Sequence, residues 1–410
     1  MKILFLTAEP PYPPFNGVRI KTFHLIKGLH ERGHKIHLIS FNPSFSNFDK
    51  ITGELKKYCS SMQFFKLSDR PSNLIKNAIF SINSSDVINF RFKSNDFRNA
   101  IIDTVKNTDV DLVHFDLVSL THYVKSISKL APSVASINDS YSLWLKNKLL
   151  RLPDYSLESL IEKGYYSATF PLATLYEKNI YKNFQKVHVV SDIDRLYLNS
   201  LDSKLDVEVI PNGVDTEFFK PLGLPVSERC LVFVASMEGE NASNAIWFIR
   251  KIFKRISNQL PNVQLYLVGK DPCPELLDVA REIKGVIPTG YVHDIRPYID
   301  RAAIILDPTT KSGGILNHVL QSMAMGKTVV GTPSSFLAVK GAVSWKHMVV
   351  ARNEKDFISV IVRLLENESE RKIIGTNARR LVETSYQWND KISQYEKMYC
   401  AAIKKFTAPQ

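Results

Sequence analysis

A turn of small residues followed by an amphipathic helix, between residues 312 and 332, is the stretch best suited to chemistry. Ser312, Gly313 and Gly314 have no bulky side chains, so we expect their backbone N–H groups to lie open at the start of the helix. Such a helix N-terminus attracts phosphate, because its free N–H groups and its dipole both favour an anion. Apolar residues at helical spacing predict the buried face: Ile315, Leu316, Val319, Leu320 and Met323.

Two motifs have the spacing of metal sites but are better explained by helix ends. The segment HERGH, residues 30–34, matches the H-E-x-x-H pattern of zinc proteases. Gly33 is expected to end the helix before His34 can join it. Asp192 and Asp194 form a D-x-D pattern, but Ser191 precedes them and predicts a helix N-cap with Asp194 as its capping-box partner. We therefore expect no metal ligands.

Composition favours a two-domain protein of a reducing compartment. The 410 residues suffice for about two domains, and 44% of them are hydrophobic. We expect neither a signal peptide nor a membrane span, because no apolar run approaches the roughly 20 residues that a bilayer requires. The four cysteines are scattered without zinc or redox spacing. This favours a cytoplasmic protein in which the cysteines are ordinary packing residues.

The net charge of +12, from 53 Lys and Arg against 41 Asp and Glu, favours anionic partners. The basic residues are spread along the chain without a zinc-finger or RNA-recognition signature, so we expect no nucleic-acid binding. The densest basic patch combines Lys146, Lys148 and Arg151 with Trp144 and neighbouring leucines. It is equally typical of a helix on an anionic membrane surface and of a solvated helix face. The first alternative places the protein on the inner face of the membrane.

The apolar pattern predicts two successive cycles of alternating strands and helices. The first cycle opens with a strand at 3–7, a helix at 18–31 and a strand at 35–40. The second opens with a strand at 231–235 and a helix at about 244–256. Such alternation indicates parallel sheets covered on both faces. We predict an α/β protein with two doubly wound, Rossmann-like domains facing a central crevice, where ligands bind at the carboxyl ends of the strands.

Four segments together resemble the retaining GT-B glycosyltransferases of the group 1 or family 4 type. They are the first 41 residues, with their glycine-containing loop and GH-led second strand; VIPNGVDTEFFKP; GYVHDIRPYI at 290–299; and SGGILNHVLQSMAMGKTVVGT. Together these segments span nearly the whole chain, and they occur in the order and at the spacing of that family. The resemblance implies an acceptor-binding domain over 1–210, a linker over 211–229, a donor-binding domain over 230–385, and a C-terminal helix over 386–410 that could pack back on the first domain.

The resemblance implies transfer of a sugar, with retention of configuration, from a nucleotide-sugar to a glycan or lipid-linked acceptor. The product would be a cell-surface polysaccharide or a related glycoconjugate. Such enzymes need no metal and no cofactor beyond the donor, because helix N-termini and basic side chains neutralise the leaving diphosphate.

Position by position, the resemblance assigns donor contacts to segments that follow strands of the second domain. Ser236 and Met237 would lie near the phosphates. Backbone groups of Gly290, Tyr291 and Val292 would meet the base. The donor helix and the turn before it would supply the remaining contacts: Lys311, Ser312, Gly313, Gly314 and Gln321. Near the reacting centre we expect Gly17, in the first loop, together with Asn138 and Asp139, which stand where many members have a catalytic-loop histidine.

The chain departs from the family pattern in the donor helix. Two glutamates eight positions apart are usual there, and Gly313 and Gln321 take their places. Gln321 can still accept one ribose hydroxyl through its amide oxygen. A usual basic pair is replaced by the acidic and amide-rich SMEGENASN, and Lys311 follows the usual basic position by one residue. Two interpretations stay open: an active enzyme with altered donor contacts, or a non-catalytic homologue that binds a sugar or a partner subunit. A nucleotide-sugar epimerase is more remote.

Overall fold

The chain forms two compact units. The structure, a computed structural model, describes residues 1–42, 48–67, 90–151, 157–309 and 316–408. Met1–Pro211 and Trp388–Gln410 form the first unit, and Asn212–Gln387 form the second.

The first unit is built on a parallel sheet, with seven strands in the part of the chain that the structure describes. Their spatial order is β3-β2-β1-β4-β5-β6-β7. The interior strand β1 is fully buried from Ile3 to Leu6, as a parallel sheet covered on both faces requires. The strands are β1 (Lys2–Thr7), β2 (Lys35–Phe41), β3 (Ser61–Phe65), β4 (Leu112–Asp116), β5 (Ser133–Asn138), β6 (Lys186–Val189) and β7 (Val207–Val209).

The helices of this unit connect the strands and cover the sheet. They are α1 (Gly17–Glu31), α2 (Phe48–Leu55), α3 (Asn95–Asn107), α4 (Tyr141–Arg151), α5 (Leu157–Ile180) and α6 (Asp192–Leu201). The predicted end of α1 is confirmed: the helix stops at Glu31, Gly33 has a φ of 84°, and His34 stands in the turn before β2. The two histidines of HERGH therefore do not share a helix face, and a zinc-protease site is excluded.

The second unit repeats the plan with a six-stranded parallel sheet in its described residues. The order is β10-β9-β8-β11-β12-β13. The strands are β8 (Ser227–Val234), β9 (Gln264–Val268), β10 (Val286–Gly290), β11 (Ala302–Asp307), β12 (Val329–Gly331) and β13 (Val349–Val350). The helices are α7 (Gly239–Phe248), α8 (Lys254–Gln259), α9 (Pro274–Glu282), α10 (Arg296–Arg301), α11 (Asn317–Ala324), α12 (Pro333–Leu337), α13 (Glu354–Glu366) and α14 (Glu368–Ser385).

Two predicted helices differ from the structure. The helix expected from about residue 244 begins at Gly239, and a π turn at Ile249–Phe253 interrupts it before α8. The helix expected to include Leu316 begins one residue later, at Asn317. Leu316 is extended, with φ −83° and ψ 104°, so its side chain packs from the turn rather than from the helix. Ile315 lies outside the described residues.

The last helix, α15 (Trp388–Thr407), belongs to the first unit. Its Ile392, Tyr395 and Tyr399 are buried in one core with Ile3 and Phe5 of β1. The final residues of the chain thus complete a core that the first residues begin.

The cysteines are only partly the packing residues that we predicted. Cys230 is buried and Cys59 and Cys273 are half-buried, but Cys400 on α15 is exposed. None of the helices that the structure describes is both long and apolar enough to cross a membrane.

Candidate functional site

The loop after β1 is held by side-chain contacts around the start of α1. Gly17 is the first residue of α1 and is exposed. Asn16 caps the helix, because its Oδ1 accepts the N–H of Arg19 at 2.9 Å and its Nδ2 donates to Glu9 at 3.0 Å. Arg19 in turn forms an ion pair with Glu9. Gly17 therefore lies at a helix N-terminus, and polar contacts fix the path of the chain into that helix.

Asn138 and Asp139 lie at the carboxyl end of β5. Asn138 is half-buried and has a φ of 66°, in the left-handed region that asparagine tolerates better than most residues. The pairing of β5 with β6 is irregular between Ser136 and Asn138. Asp139 is exposed and its N–H donates to Ile137 at 2.9 Å. The chain thus turns sharply as the strand ends and leaves Asp139 at the surface.

A buried lysine that the sequence did not single out anchors this turn. Lys21 on α1 is only 1% exposed. Its Nζ lies 2.7 Å from Asp116 Oδ1 at the end of β4, 2.8 Å from Ser136 Oγ and 2.6 Å from Asn138 Oδ1. The second carboxylate oxygen of Asp116 accepts the Thr22 hydroxyl at 2.6 Å. One ammonium group therefore ties α1 to the ends of two adjacent strands.

The position of Lys21 on α1 is the feature of the sequence that could have revealed its role. Lys21, Leu25 and Leu29 are four residues apart and all buried, so they share one face of α1. A lysine on an apolar face requires an internal partner, since lysine is almost never fully buried without one.

Two histidines behind this cluster are kept neutral. Burial and the charge of Lys21 lower the pKa of His188 to about 3, and the same causes lower the pKa of His114 well below its ordinary value. Ser136 Oγ lies 2.9 Å from His188 Nδ1, and the hydroxyl of Tyr399 lies 2.8 Å from His114 Nδ1. These imidazoles are structural groups within a buried polar network.

A second buried network holds the residues directly after Asp139. Glu177 on α5 accepts the N–H groups of Tyr141 and Ser142 at 2.9 and 3.2 Å, together with the hydroxyl of Ser140 at 2.8 Å. Burial raises the pKa of Glu177, although these hydrogen bonds oppose the shift. Glu177 thus satisfies the free N–H groups at the start of α4 and was not foreseen from the sequence.

The D-x-D segment caps a helix, as predicted. Ser191 is the N-cap of α6, and its Oγ accepts the N–H of Asp194 at 3.2 Å. Asp194 deviates from a capping box, because its carboxylate accepts the Ser191 hydroxyl and, at 2.8 Å, the N–H of Ser140. Among the residues that the structure describes, no three His, Cys, Asp or Glu side chains are grouped to hold a metal ion.

In the second unit, Ser236 and Met237 follow β8. Ser236 donates its hydroxyl to Glu238 at 2.9 Å, and its carbonyl accepts the side chain of Asn241 at 3.0 Å. Met237 is fully buried and its N–H donates to the carbonyl of Lys270 at 2.8 Å. Of the two residues, Ser236 is therefore the one with polar groups near the surface.

The segment predicted to meet a nucleotide base begins at the end of β10. Gly290 has a φ of 67°, which favours glycine. The ring of Tyr291 is 66% exposed and lies 5.2 Å from the ring of His293. Val292 packs against the core. Backbone and an exposed aromatic ring are thus presented side by side at this strand end.

Gln321 lies in the middle of α11 and is 9% exposed. Its side-chain amide makes no hydrogen bond to the residues that the structure describes. The other predicted donor-loop residues, Lys311, Ser312, Gly313 and Gly314, lie outside the described residues. Their roles stay predictions.

A carboxylate and an imidazole meet beside α11, and neither was predicted. Asp307 ends β11 and is completely buried, and its Oδ1 lies 3.5 Å from His318 Nε2 in the first turn of α11. Burial raises the pKa of Asp307, but the neighbouring His318 imidazole and the hydroxyls of Ser335 and Thr309 outweigh it and hold that pKa below its ordinary value. The other oxygen of Asp307 is buried without a partner among the described residues. An acidic residue closing an apolar strand, IILDP, is the signal that could have found this pair.

Comparison with known proteins places both units in sugar-transfer families. The description "Glycosyltransferase Family 4" matches residues 15–218, and "Glycosyl transferases group 1" matches residues 228–367. The chain belongs to the glycosyltransferases.

Solved structures show that this glycosyltransferase has the GT-B fold. Sucrose-phosphate synthase from Thermosynechococcus elongatus superposes with a TM-score of 0.72 at 15% identity, over 98% of each chain. Anabaena HepE in complex with UDP superposes with a TM-score of 0.66 at 14% identity, over 98% of this chain and 100% of the other. The predicted fold of two Rossmann-like α/β domains is confirmed.

Two relatives are similar in sequence. A protein described as an uncharacterized 44.6 kDa protein in the cps region of Klebsiella pneumoniae is 22% identical over 406 residues, which is 94% of this glycosyltransferase and 96% of the relative. A glycosyltransferase of Methanocaldococcus jannaschii is 27% identical over 97 residues, and that match covers 23% of this chain and 25% of the relative.

Proposed function

We propose that this glycosyltransferase moves a sugar from a nucleotide-sugar to a glycan or lipid-linked acceptor, with retention of configuration, in the synthesis of a cell-surface polysaccharide or glycoconjugate. The observation that carries the donor assignment is the row of polar groups at the carboxyl edge of the second sheet. Ser236 follows β8, Gly290 ends β10, and Asp307 with His318 lies at the end of β11. Doubly wound domains bind their ligands at this edge.

The nucleotide-sugar class is supported by proteins of the same fold. Anabaena HepE is solved with UDP and with UDP-glucose. We propose that a donor diphosphate binds in this protein without a metal ion or cofactor, facing the start of α11. Lys311 would balance its charge, and His318 would lie beside it.

In the first unit we place the acceptor, and with it the reacting centre, at the carboxyl ends of β4 and β5. Asn138 and Asp139 offer an amide and an exposed carboxylate there, and Gly17 leaves the start of α1 unobstructed. An amide and a carboxylate can each hold a sugar hydroxyl, as a donor and as an acceptor of hydrogen bonds respectively.

The same unit carries a surface suited to a membrane. Helices α4 and α5 pack together and expose the large apolar side chains of Trp144, Leu150, Leu160, Ile161 and Tyr165. Lys146 and Lys148 lie on the same helix as Trp144. Apolar side chains beside lysines are typical of a helix lying on an anionic bilayer. We propose that the protein is cytoplasmic and peripheral on the inner membrane face through this patch.

Vesicle flotation tests the membrane proposal. Binding to anionic vesicles should fall as salt is raised, because exposed charges are screened over about 10 Å at 0.1 M salt. The variant Leu160→Asn/Ile161→Asn should bind less than the wild type, whereas Ile373→Asn, at an exposed position of the second unit, should not. Absence of wild-type binding at low salt would contradict the proposal.

A thermal-shift screen against UDP, GDP, ADP, TDP and CMP and their sugars tests the donor proposal. A ligand that binds only the folded protein at a hundred times its dissociation constant stabilises it by about 2.7 kcal/mol. Lys311→Ala should weaken the response to the selected nucleotide, and Lys284→Ala, at an exposed position after α9, should not. No shift with any nucleotide would contradict donor binding.

Turnover separates an enzyme from a binding subunit. The selected nucleotide-sugar should be hydrolysed slowly without acceptor, and proton NMR of a transferred product should show the anomeric configuration of the donor. A bound but uncleaved donor would contradict catalysis, and an inverted product would contradict retention.

A further inference from the structure

Lys21 cannot contact a substrate itself. A lysine ammonium has three N–H donors and no acceptor. Asp116, Ser136 and Asn138 supply three acceptors within 2.8 Å, and the side chain is almost completely buried. The ammonium group is therefore occupied by two hydrogen bonds and one ion pair inside the protein, and any functional effect of Lys21 passes through these partners.

Asn138 is the partner that reaches the surface. Asp116 and Ser136 are buried, whereas Asn138 is half-buried. Because the ammonium can only donate, the carbonyl oxygen of the Asn138 amide must face Lys21, and the amide NH₂ must face away. This NH₂ makes no hydrogen bond to the residues that the structure describes, so its two N–H donors are available to a ligand.

The backbone around Lys21 is bent at both strand ends that it joins. Asn138 has a φ of 66°, and Leu117, directly after Asp116, has a φ of 76°. Positive φ is uncommon outside glycine, and for a bulky residue such as leucine it is an outlier that cooperating contacts must maintain. Strained turns of this kind concentrate at binding and catalytic sites.

We infer that Lys21 is a positioning residue for sugar recognition. By holding the side-chain oxygen of Asn138 it presents the amide NH₂ as a hydrogen-bond donor to a hydroxyl or ring oxygen of a sugar. The sugar as ligand rests on the proposed function, but the orientation of Asn138 by Lys21 does not.

The test avoids leaving a buried charge unpaired. Lys21→Met alone would strand Asp116, so the variant is Lys21→Met/Asp116→Asn, in which both side chains are neutral and the Thr22 hydroxyl keeps an oxygen partner. Asn138→Gly removes the amide and tolerates the positive φ. The triple variant combines both changes. Lys27→Met is the control, since Lys27 lies on the same helix with its side chain 38% exposed.

The first measurement is the side-chain amide signal of Asn138 in a ¹⁵N–¹H NMR spectrum, identified by its loss in Asn138→Gly. The chemical shift of this signal should change in the Lys21→Met/Asp116→Asn variant and should stay the same in Lys27→Met. An unmoved signal in the double variant would overturn the contact between Lys21 and Asn138.

The second measurement is kcat/KM for cleavage of a nucleotide-sugar, with UDP-glucose as the first probe. The double variant should lose about tenfold in kcat/KM, because misplaced substrate contacts lower the rate. When Asn138 is already glycine, the same double substitution should lower kcat/KM by less than about twofold, since the effects of residues that act as a unit are not additive. Equal losses in both backgrounds would overturn the positioning role. A wild-type protein that cleaves no nucleotide-sugar contradicts the proposed function, whereas the NMR result still decides the orientation of Asn138.

Discussion

Gly375 allows α14 to touch the backbone at the end of α11, and its replacement by alanine should disturb the proposed donor site. A Cβ atom on Gly375 would lie 2.0 Å from the carbonyl oxygen of Gly326 and 2.8 Å from its carbonyl carbon. Since Cβ contacts under 3.0 Å essentially never occur, alanine must move the two backbones apart by about 1 Å. Gly326 directly follows the C-cap of α11, so part of this movement reaches that helix.

The expected loss of stability is modest and the expected loss of function is large. Overpacking costs about 1–3 kcal/mol, and the higher helix propensity of alanine offsets about 1 kcal/mol of it. A net loss of about 0–2 kcal/mol lowers the melting temperature of a domain of this size by up to about 8 °C. A displacement of about 1 Å near a reacting centre can reduce turnover about a hundredfold.

Thermal melts and nucleotide titrations of Gly375→Ala check both quantities. The control is Gly53→Ala in α2, where an added Cβ meets nothing within 4 Å and the melting temperature should stay or rise. Wild-type melting and wild-type nucleotide affinity in Gly375→Ala would refute the contact. A lower melting temperature with unchanged nucleotide affinity and turnover would refute the placement of the donor on α11.

Two further predictions concern titratable groups. Asp307→Asn should destabilise the protein at neutral pH and by less at low pH. Because the folded-state pKa of Asp307 is below its ordinary 3.8, its carboxylate stabilises the fold fully above that pH, and the contribution disappears as pH falls through the lower folded-state value. The difference between the urea midpoints of the two proteins should be smaller at pH 3 than at pH 7, and an equal difference at both would contradict this prediction. Cys400 should react rapidly with a thiol reagent at pH 8 in the native protein, whereas Cys59, whose pKa burial raises to about 12, should react only on unfolding. A rapid phase that persists when both Cys400 and the half-buried Cys273 are replaced by serine would contradict this assignment.

The buried parallel strands could be predicted because their sequences are continuous apolar runs. Strands such as β1 and β11 are buried on both faces, so they are apolar without alternation, and such a run can be recognised in the sequence. The edge strand β3 was missed, since Ser61–Phe65 is only partly buried and mixes polar with apolar residues. The π turn in Ile249–Phe253 adds no distinctive residue, so the break between α7 and α8 could not be foreseen.

The positions of candidate residues at strand and helix ends could be predicted, but the groups that hold them could not. Gly290 ends β10 and Gly17 begins α1, and glycine is a recognisable signal at such ends. The anchoring groups Lys21, Glu177 and Asp307 gain their partners from segments distant in the chain, as when Glu177 on α5 receives the start of α4. Such pairings depend on tertiary packing, and a sequence shows only that a polar residue stands at a buried position.

Helix α15 has a consequence for the order of synthesis. The core shared by Ile3 and Tyr399 cannot close until residue 399 has been made, yet all of Asn212–Gln387 is made before it. Domains generally fold as units as they leave the ribosome. The second unit can therefore finish folding on the nascent chain, whereas the first must wait with an open apolar groove beside α1 until α15 has been made. During that interval the growing polypeptide presents a surface that chaperones recognise.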